Sequence, residues 1–352
     1  MRRLCTLLLV LSFSPLGVSE ERTVRIGVLG IFHSASLTLT SGQDAELVLS
    51  SGSHRVFVRP RSSCSTAEIR AIGDMLLVRC GSKEIRAPEC HAASRNQQAT
   101  GLFLEIPGKI KRKYEGTLDV KAKNGEILPV VEMDLEIAVA SVVQAEALPD
   151  TPLEALKAQA VVSRSYMVAG RGRHVDFDFC DTTHCQFLRE PPEVDSLAAQ
   201  ATAATRGLVL TYDDKPVAAM FTRSCGGDTR TPAEIGLPSA DYPYYSVRCE
   251  TCYRDPVRWT RTLSREDAAL LVLQGENGRI AIGRKLGWDA VPSDNFTARE
   301  QNDEVMLEGV GQGHGVGLCQ RGARGLGKLG SEFRTILGHY FPNTTLDSLA
   351  SK

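Results

Sequence analysis

The sequence predicts an α+β protein, a β-rich N-terminal section leading into a mixed α/β body, on three observations. From residue 22 to about 130, short alternating runs (VRIGV, SLTLT, AELVLS, HRVFVRP, DMLLVRC, GLFLEI) are separated by Gly, Ser, Asn and Pro, the pattern of strands and turns. At Asp134 the period becomes helical, first in DLEIAVASVVQAE and then in TPLEALKAQAVVSRSYMVAG. Beyond residue 200 strand-like runs return (GLVLTY, PVAAMF), followed by loops rich in Gly and Cys and a last amphipathic helix, SEFRTILGHYF.

Each helix has a local cause. Asp134 is a good N-cap, and Leu135, Val139, Val142 and Val143 recur at helical spacing, so the apolar stripe runs on to Glu146. Thr151, Pro152 and Glu154 read as N-cap, first helical residue and capping-box partner of a second helix, which Gly170 stops. Ser331 is expected to cap the last helix, whose inner face holds Phe333, Ile336, Leu337 and Tyr340. The first two helices meet at a turn, and Glu146 sits at the turn.

A chain of 352 residues with 42% hydrophobic content is enough for one large or two ordinary domains with a sizeable core. The net charge of -1 and a pI near 6.7 give no overall attraction for nucleic acid or an anionic membrane, so no nucleic acid partner is expected. Residues 1–19, with Arg2 and Arg3 ahead of an apolar run and small residues at Gly17 and Ser19, read as a signal peptide. No later stretch reaches the ~20 apolar residues of a membrane span, so the mature chain is expected to be exported, in the periplasm or cell envelope. Removal of Cys5 with that segment leaves nine cysteines. Two of Cys64, Cys80 and Cys90 are expected to form a disulfide staple within the β-rich section at 20–110.

Several side chains are suited to chemistry. At the C-terminal end of a helix and beside an apolar face, the Glu146 carboxyl is pushed upward by the helix dipole and by desolvation, which suits a general acid; the plain alternative is a solvated loop carboxylate. On the second helix Lys157 and Arg164 share one face and Gln159 and Tyr166 another, as donors for an oxygen-rich ligand, although a solvent face explains Lys157 equally well. HVDFDFCDTTHCQ supplies His174, Cys180, His184 and Cys185, the donor set of a closed tetrahedral zinc site; the alternative is a Cys180–Cys185 disulfide with incidental histidines. Cys225, Cys249, Cys252 and Cys319 form a second set, fit either for an all-thiolate zinc site or for two disulfides, with export favouring disulfides. GVGQGHGVGLCQRGARG lacks the ending of a phosphate loop, and its His314 is either a site residue or part of a structural glycine turn. A thiol hydrolase using Cys185 or Cys319 with a histidine is a third reading, and it requires a depressed thiol pKa.

Four ordered stretches, VASVVQAEALPDTPLEALKAQAVVSRSY, CDTTHCQ, RSCGGDT and GHGVGLCQRGA, together resemble the SpoIID/LytB family of stage II sporulation protein D and amidase-enhancer proteins. The resemblance runs from Tyr114 to Pro342 and implies a SpoIID-like catalytic domain over 111–345. It implies an exported peptidoglycan lytic transglycosylase that cleaves MurNAc-GlcNAc strands, peptide-stripped ones in the sporulation members, to 1,6-anhydroMurNAc ends. The catalytic residue it implies is Glu146. A single raised carboxyl fits a reaction needing one acid then base, where ordinary glycosidases need two. By the same resemblance Gln159, Arg164, Tyr166, Gln186, Ser224, His314 and Gln320 contact the sugar, and His174, Cys180, His184 and Cys185 hold a structural zinc. The alternative it implies is a non-catalytic glycan-binding enhancer of a separate cell-wall amidase. The family's Ser-Gln-Tyr-Gly reads Cys319-Gln320-Arg321-Gly322 here, and Cys225 likewise replaces a small polar residue, which links both cysteines to the C-x-x-C pair.

Overall fold

The structure is a computed structural model, and it describes residues 23–42, 45–95, 100–237, 242–273 and 276–349. The signal peptide expected over 1–19 lies outside the described residues. Strands β1 (Thr23–Gly27), β2 (Ser36–Ser41), β3 (Leu47–Ser51), β4 (His54–Val58), β5 (Thr66–Ile72) and β6 (Met75–Cys80) open the chain. Next come β7 (Lys83–Ala87), β8 (Glu89–Ser94), β9 (Thr100–Ile106), β10 (Ile110–Lys123) and β11 (Glu126–Asp134). Helices α1 (Leu135–Glu146) and α2 (Leu153–Ala169) follow, then β12 (Phe179–Cys180), α3 (Leu197–Ala204), β13 (Leu208–Tyr212), β14 (Lys215–Pro216) and β15 (Phe221–Thr222). The remainder is α4 (Glu250–Arg254), β16 (Arg258–Ser264), α5 (Arg265–Leu273), α6 (Glu276–Leu286), β17 (Phe296–Gln301), β18 (Glu304–Val310), β19 (Leu318–Cys319), α7 (Gln320–Lys328), α8 (Phe333–Tyr340) and β20 (Thr345–Ser348). The fold is α+β with a β-rich N-terminal part, as its sequence predicts.

β10 organises the first half. Its N-terminal part pairs with β9, its C-terminal part pairs with β8 on the same edge, and β11 lies along the other edge. A twelve-stranded sheet results among the described residues, running β12-β1-β11-β10 and then branching into β9-β2-β5-β6-β7 and β8-β3-β4. Strict alternation along β10 turns Leu118 and Val120 into the core, and with them Arg112 and Tyr114. A charge on the inner face of a strand requires a buried partner; Asp181 provides it. β5, β7 and β8, which the sequence patterns do not single out, bury mostly Ala with one Ile or Cys each and carry Glu, Arg or His on the other face, so their apolar signal is weak. The staple is Cys64–Cys80, and Cys90 is buried and unbonded.

α1 begins where predicted: the Asp134 side chain accepts hydrogen bonds from the Glu136 and Ile137 N–H groups. Asp134→Ala should therefore cost about 1 kcal/mol, readable as a lower urea midpoint. The second cap differs from expectation. α2 starts at Leu153 with Pro152 in the N-cap position; Thr151 Oγ1 donates to the Leu148 carbonyl, and Glu154 is drawn away to Lys157 and to the Phe333 N–H. Ser331 also does not cap the last helix, which starts at Phe333 with Glu332 before it. Ile336, Leu337 and Tyr340 are buried there as expected, and Phe333 is half-buried.

α2 is a central helix, buried on all sides from Ala158 to Met167. It packs between the first core, built by the sheet and α1, and a second core formed with β13, α7 and α8. Because no face of α2 meets solvent over this stretch, its polar residues must find partners inside the protein. Residues 258–310 build a third core of their own, Trp259, Leu263, Ile282, Val291 and Leu307, under the β16-β18-β17 sheet. The chain leaves and rejoins the body at one point, where the Gly311 N–H donates to the Val257 carbonyl at 2.7 Å.

Candidate active site

Glu146 is the last residue of α1, and its carboxyl accepts the Phe187 backbone N–H at 3.2 Å. Burial pushes the carboxyl up to about 6; the Phe187 N–H and the guanidiniums of Arg223 and Arg189 pull it back only in part. The groups that act on this carboxyl are thus donors and cations. A carboxyl with a value near 6 is partly protonated at neutral pH, so it can both give and take a proton.

Three glutamines meet beside it. Gln320 Nε2 donates to the Glu146 carbonyl oxygen at 3.2 Å and to Gln159 Oε1 at 3.4 Å. Gln159 Nε2 in turn donates to Ser163 Oγ at 3.1 Å, and Gln186 Nε2 to the Ser163 carbonyl at 3.5 Å. All three are buried, yet Gln186 Oε1 and Gln320 Oε1 have no hydrogen-bond partner among the described residues. A buried acceptor left unpaired is costly, and a hydroxyl-bearing ligand would satisfy both.

The other expected contact residues sit elsewhere. Arg164 is 0% exposed and gives its donors to Glu136, at 2.9 and 2.6 Å, and to the carbonyls of Leu208, Thr202 and Ala160. It ties α2 to α1 and β13. Tyr166 is buried against Phe179, ring centroids 5.6 Å apart, with the Arg173 guanidinium over its face. Ser224 Oγ lies 3.4 Å from Cys252 Sγ. His314 Nδ1 accepts the Val316 N–H at 3.1 Å, so its proton is on Nε2, and burial holds the ring neutral by pushing its value down to about 3. Among the described residues no hydrogen bond joins Ser224 or His314 to Glu146.

His174, Cys180, His184 and Cys185 converge as the sequence anticipates. Their ligand atoms all lie within 4.8 Å of one another: His174 Nε2 is 3.3 Å from Cys185 Sγ, and His184 Nδ1 is 3.7 and 3.6 Å from the sulfurs of Cys180 and Cys185. Ligands about 2.0–2.3 Å from a tetrahedral centre stand about 3.3–3.8 Å apart, so this donor set fits one zinc-sized ion. Neither thiol is in a disulfide.

The sheet aims this loop. β12 pairs parallel with β1, Gly27 facing Cys180, and the Phe177 ring lies so close over Gly27 that a Cβ there would stand 2.6 Å from it. The same ring packs against His174 at 4.5 Å between centroids, so a bare backbone at Gly27 sets the height of a ligand. Asp181, beside Cys180, reaches back into the core to accept from Arg112 at 2.8 Å, Tyr114 Oη at 3.2 Å and the Leu29 N–H at 3.2 Å. Arg189 then donates to the Asp181 carbonyl and stacks on Phe187, 3.4 Å above its ring. Sequence reasoning missed Asp181, Arg112, Arg189 and Arg223. The available signal was an acidic residue inside CDTTHCQ and a lone arginine among inward positions of β10.

These features define a class: an α+β protein with a raised carboxyl at the junction of two helices, its walls carried by loops rich in cysteine. Residues 123–212 match the family model described as SpoIID, stage II sporulation protein. The chain is 29% identical over 261 residues, 65% of its length and 71% of the other's, to an uncharacterized protein of Brachyspira hyodysenteriae. It is 28% identical over 267 residues to stage II sporulation protein D of Bacillus subtilis, covering 62% of this chain and 75% of that one. To the amidase enhancer of Bacillus subtilis it is 24% identical over 278 residues, 56% of this chain and 38% of that larger protein. The chain thus resembles the SpoIID family, and the matched stretch takes in the two helices that meet at Glu146.

Proposed function

We propose that this protein is a peptidoglycan lytic transglycosylase of the cell envelope with Glu146 as its acid and base. The observation that carries the reading is the Glu146 carboxyl itself: raised to about 6, and acted on by donors and cations. In the proposed reaction protonated Glu146 gives its proton to the glycosidic oxygen as the bond from MurNAc C1 to the GlcNAc oxygen breaks. The MurNAc C6 oxygen bonds to C1, its proton passes to the Glu146 carboxylate, and the acid is regenerated without water. One carboxyl does both transfers, unlike the pair that hydrolysis with a separate base or nucleophile needs.

Gln159, Gln186 and Gln320 bind and orient sugar hydroxyls and amides, with the unpaired Oε1 atoms of Gln186 and Gln320 as acceptors. The Phe187 N–H keeps the carboxyl aimed. A zinc ion held by His174, Cys180, His184 and Cys185 would supply structure, fixing the turn that carries Gln186 and Phe187. Incubating purified protein with peptide-free glycan strands and analysing the ends by mass spectrometry tests the proposal. Appearance of 1,6-anhydroMurNAc ends is the expected result. Strands that are bound and left intact would support the second reading, a glycan-binding enhancer of a cell-wall amidase, which the similarity to a protein named amidase enhancer favours. Among the described residues no helix is long and apolar enough to cross a membrane.

A further inference from the structure

Cys225, Cys249, Cys252 and Cys319 come from three separate stretches of chain and meet in the second core, all buried. Cys225 ends the RSC turn after β15, Cys249 and Cys252 flank the first turn of α4, and Cys319 is the N-cap of α7. The four sulfurs lie within 4.8 Å of one another, with Cys252 and Cys319 3.6 Å apart. None is in a disulfide, whereas Cys64 and Cys80 of the same chain are joined.

That separation decides between the two fates of such cysteines. A disulfide brings two sulfurs to about 2.05 Å and leaves the other pair apart. Four sulfurs around a tetrahedral zinc at about 2.3 Å each stand about 3.8 Å from one another. The observed arrangement is the second: a compact foursome drawn to one centre. An iron–sulfur cluster would need space for inorganic sulfide between the cysteines. A sulfur pair at 3.6 Å leaves none.

The surroundings suit thiolates held by an ion. Cys319 Sγ accepts the Cys225 backbone N–H at 3.4 Å, Ser224 Oγ lies 3.4 Å from Cys252 Sγ, and Tyr340 Oη donates to Cys249 Sγ at 3.5 Å. Donors of this kind orient and stabilise metal-bound sulfur. Backbone also closes over the group, since a Cβ at Gly322 would overlap both Cys249 Sγ and Tyr340 Oη. Leu318, Ala323 and Phe341 complete an apolar shell, so the site is closed, without an open position for substrate.

We propose that Cys225, Cys249, Cys252 and Cys319 bind one structural zinc ion. The ion ties together the chain segments that carry Arg223, Ser224 and Gln320. Cys319 directly precedes Gln320, just as Cys185 directly precedes Gln186. Each wall of the Glu146 site is then pinned by a metal ligand one residue from its glutamine. The inference stands on the sulfur geometry and is independent of the reaction proposed above.

The test is metal content and thiol state of the full-length protein. Elemental analysis should show that Cys252→Ala loses one zinc equivalent per chain relative to wild type, and that Cys252→His, which keeps a ligand, retains it. His184→Ala should remove a different equivalent, so that it and Cys252→Ala subtract independently. Should Cys252→Ala fail to fold, the wild type alone still decides: unfolded in chelator and alkylating agent, it should yield all four cysteines singly alkylated, with zinc released. Disulfide-linked peptides among these four, zinc content unchanged by Cys252→Ala in a folded protein, or iron in place of zinc would overturn the proposal.

Discussion

Glu146→Gln is expected to abolish formation of 1,6-anhydroMurNAc ends, lowering the rate by about 10³-fold or more, because in the proposed reaction one residue supplies both proton transfers. That loss corresponds to about 4 kcal/mol of transition-state stabilisation. Glutamine is nearly isosteric, and its Oε1 still accepts the Phe187 N–H, so binding of glycan strands should survive. Unchanged turnover in a folded Glu146→Gln protein would remove Glu146 from the chemistry. The wild-type rate should also follow the protonated fraction of Glu146: it declines as pH rises through about 6, tenfold per unit well above it. The sign for stability is the reverse of that for a paired surface carboxylate. The folded value lies above the ordinary 4.5, so the folded chain holds the proton more tightly. Stability contributed by this group falls as pH rises from about 4.5 to about 6 and stays lower beyond. Glu146→Gln removes that penalty, and at pH 7 the variant should be more stable than wild type by up to roughly 2 kcal/mol. A catalytic group that weakens its own fold has that signature; a surface glutamate does not.

Much of this site was legible because its residues cluster in sequence. Asp134, the stripe Leu135, Val139, Val142 and Val143, and Glu146 lie on one helix, so period and cap alone place the carboxyl at its end. His174 to Cys185 span one loop, and local spacing suffices to suggest a metal. What escaped depends on long-range contact. Arg164 reads as a ligand donor by helical spacing, yet it pairs with Glu136, 28 residues earlier, and with a carbonyl of β13. No one-dimensional pattern distinguishes an arginine aimed at a ligand from one buried against another helix. The capping box at Thr151 failed for the same reason: Glu154 had a better offer in Lys157 and the distant Phe333 N–H. The independent core at 258–310 is hidden because its strands alternate like those of the main body.

The two cysteine groups also show how a sheet-rich section can matter to a site that it does not contribute to directly. β1 and β10 set the His174–Cys185 loop through Gly27, Arg112 and Tyr114, and that loop presents Gln186 and the Phe187 N–H to Glu146. The opposite wall hangs on Cys319 and Gln320 at the start of α7. Errors in either anchor would reach the carboxyl within a residue or two of chain.

Asp181→Ala is therefore expected to cost about 3–5 kcal/mol and to disturb the site as well. Asp181 is 1% exposed and is the shared acceptor of Arg112, Tyr114 and the Leu29 N–H. Its removal leaves a guanidinium, a hydroxyl and an amide buried without that partner, and the unpaired charge dominates the cost. Urea denaturation should show a much lower midpoint with the slope unchanged. Replacing Arg112 in the same chain separates the two roles of the pair. Since a buried ion pair contributes little beyond well-packed apolar residues, Arg112→Met with Asp181→Leu should recover most of the lost stability. It should not recover the aim of the loop: Asp181 also fixes where Cys180 and Cys185 lie relative to β1, and Arg189 donates to its carbonyl. The double variant is thus expected to fold near wild-type stability while its glycan-cleaving rate stays depressed. A double variant restored in both stability and rate would show that the buried pair only holds the fold. If instead Asp181→Ala is as stable as wild type, the pair is not the anchor that its geometry describes.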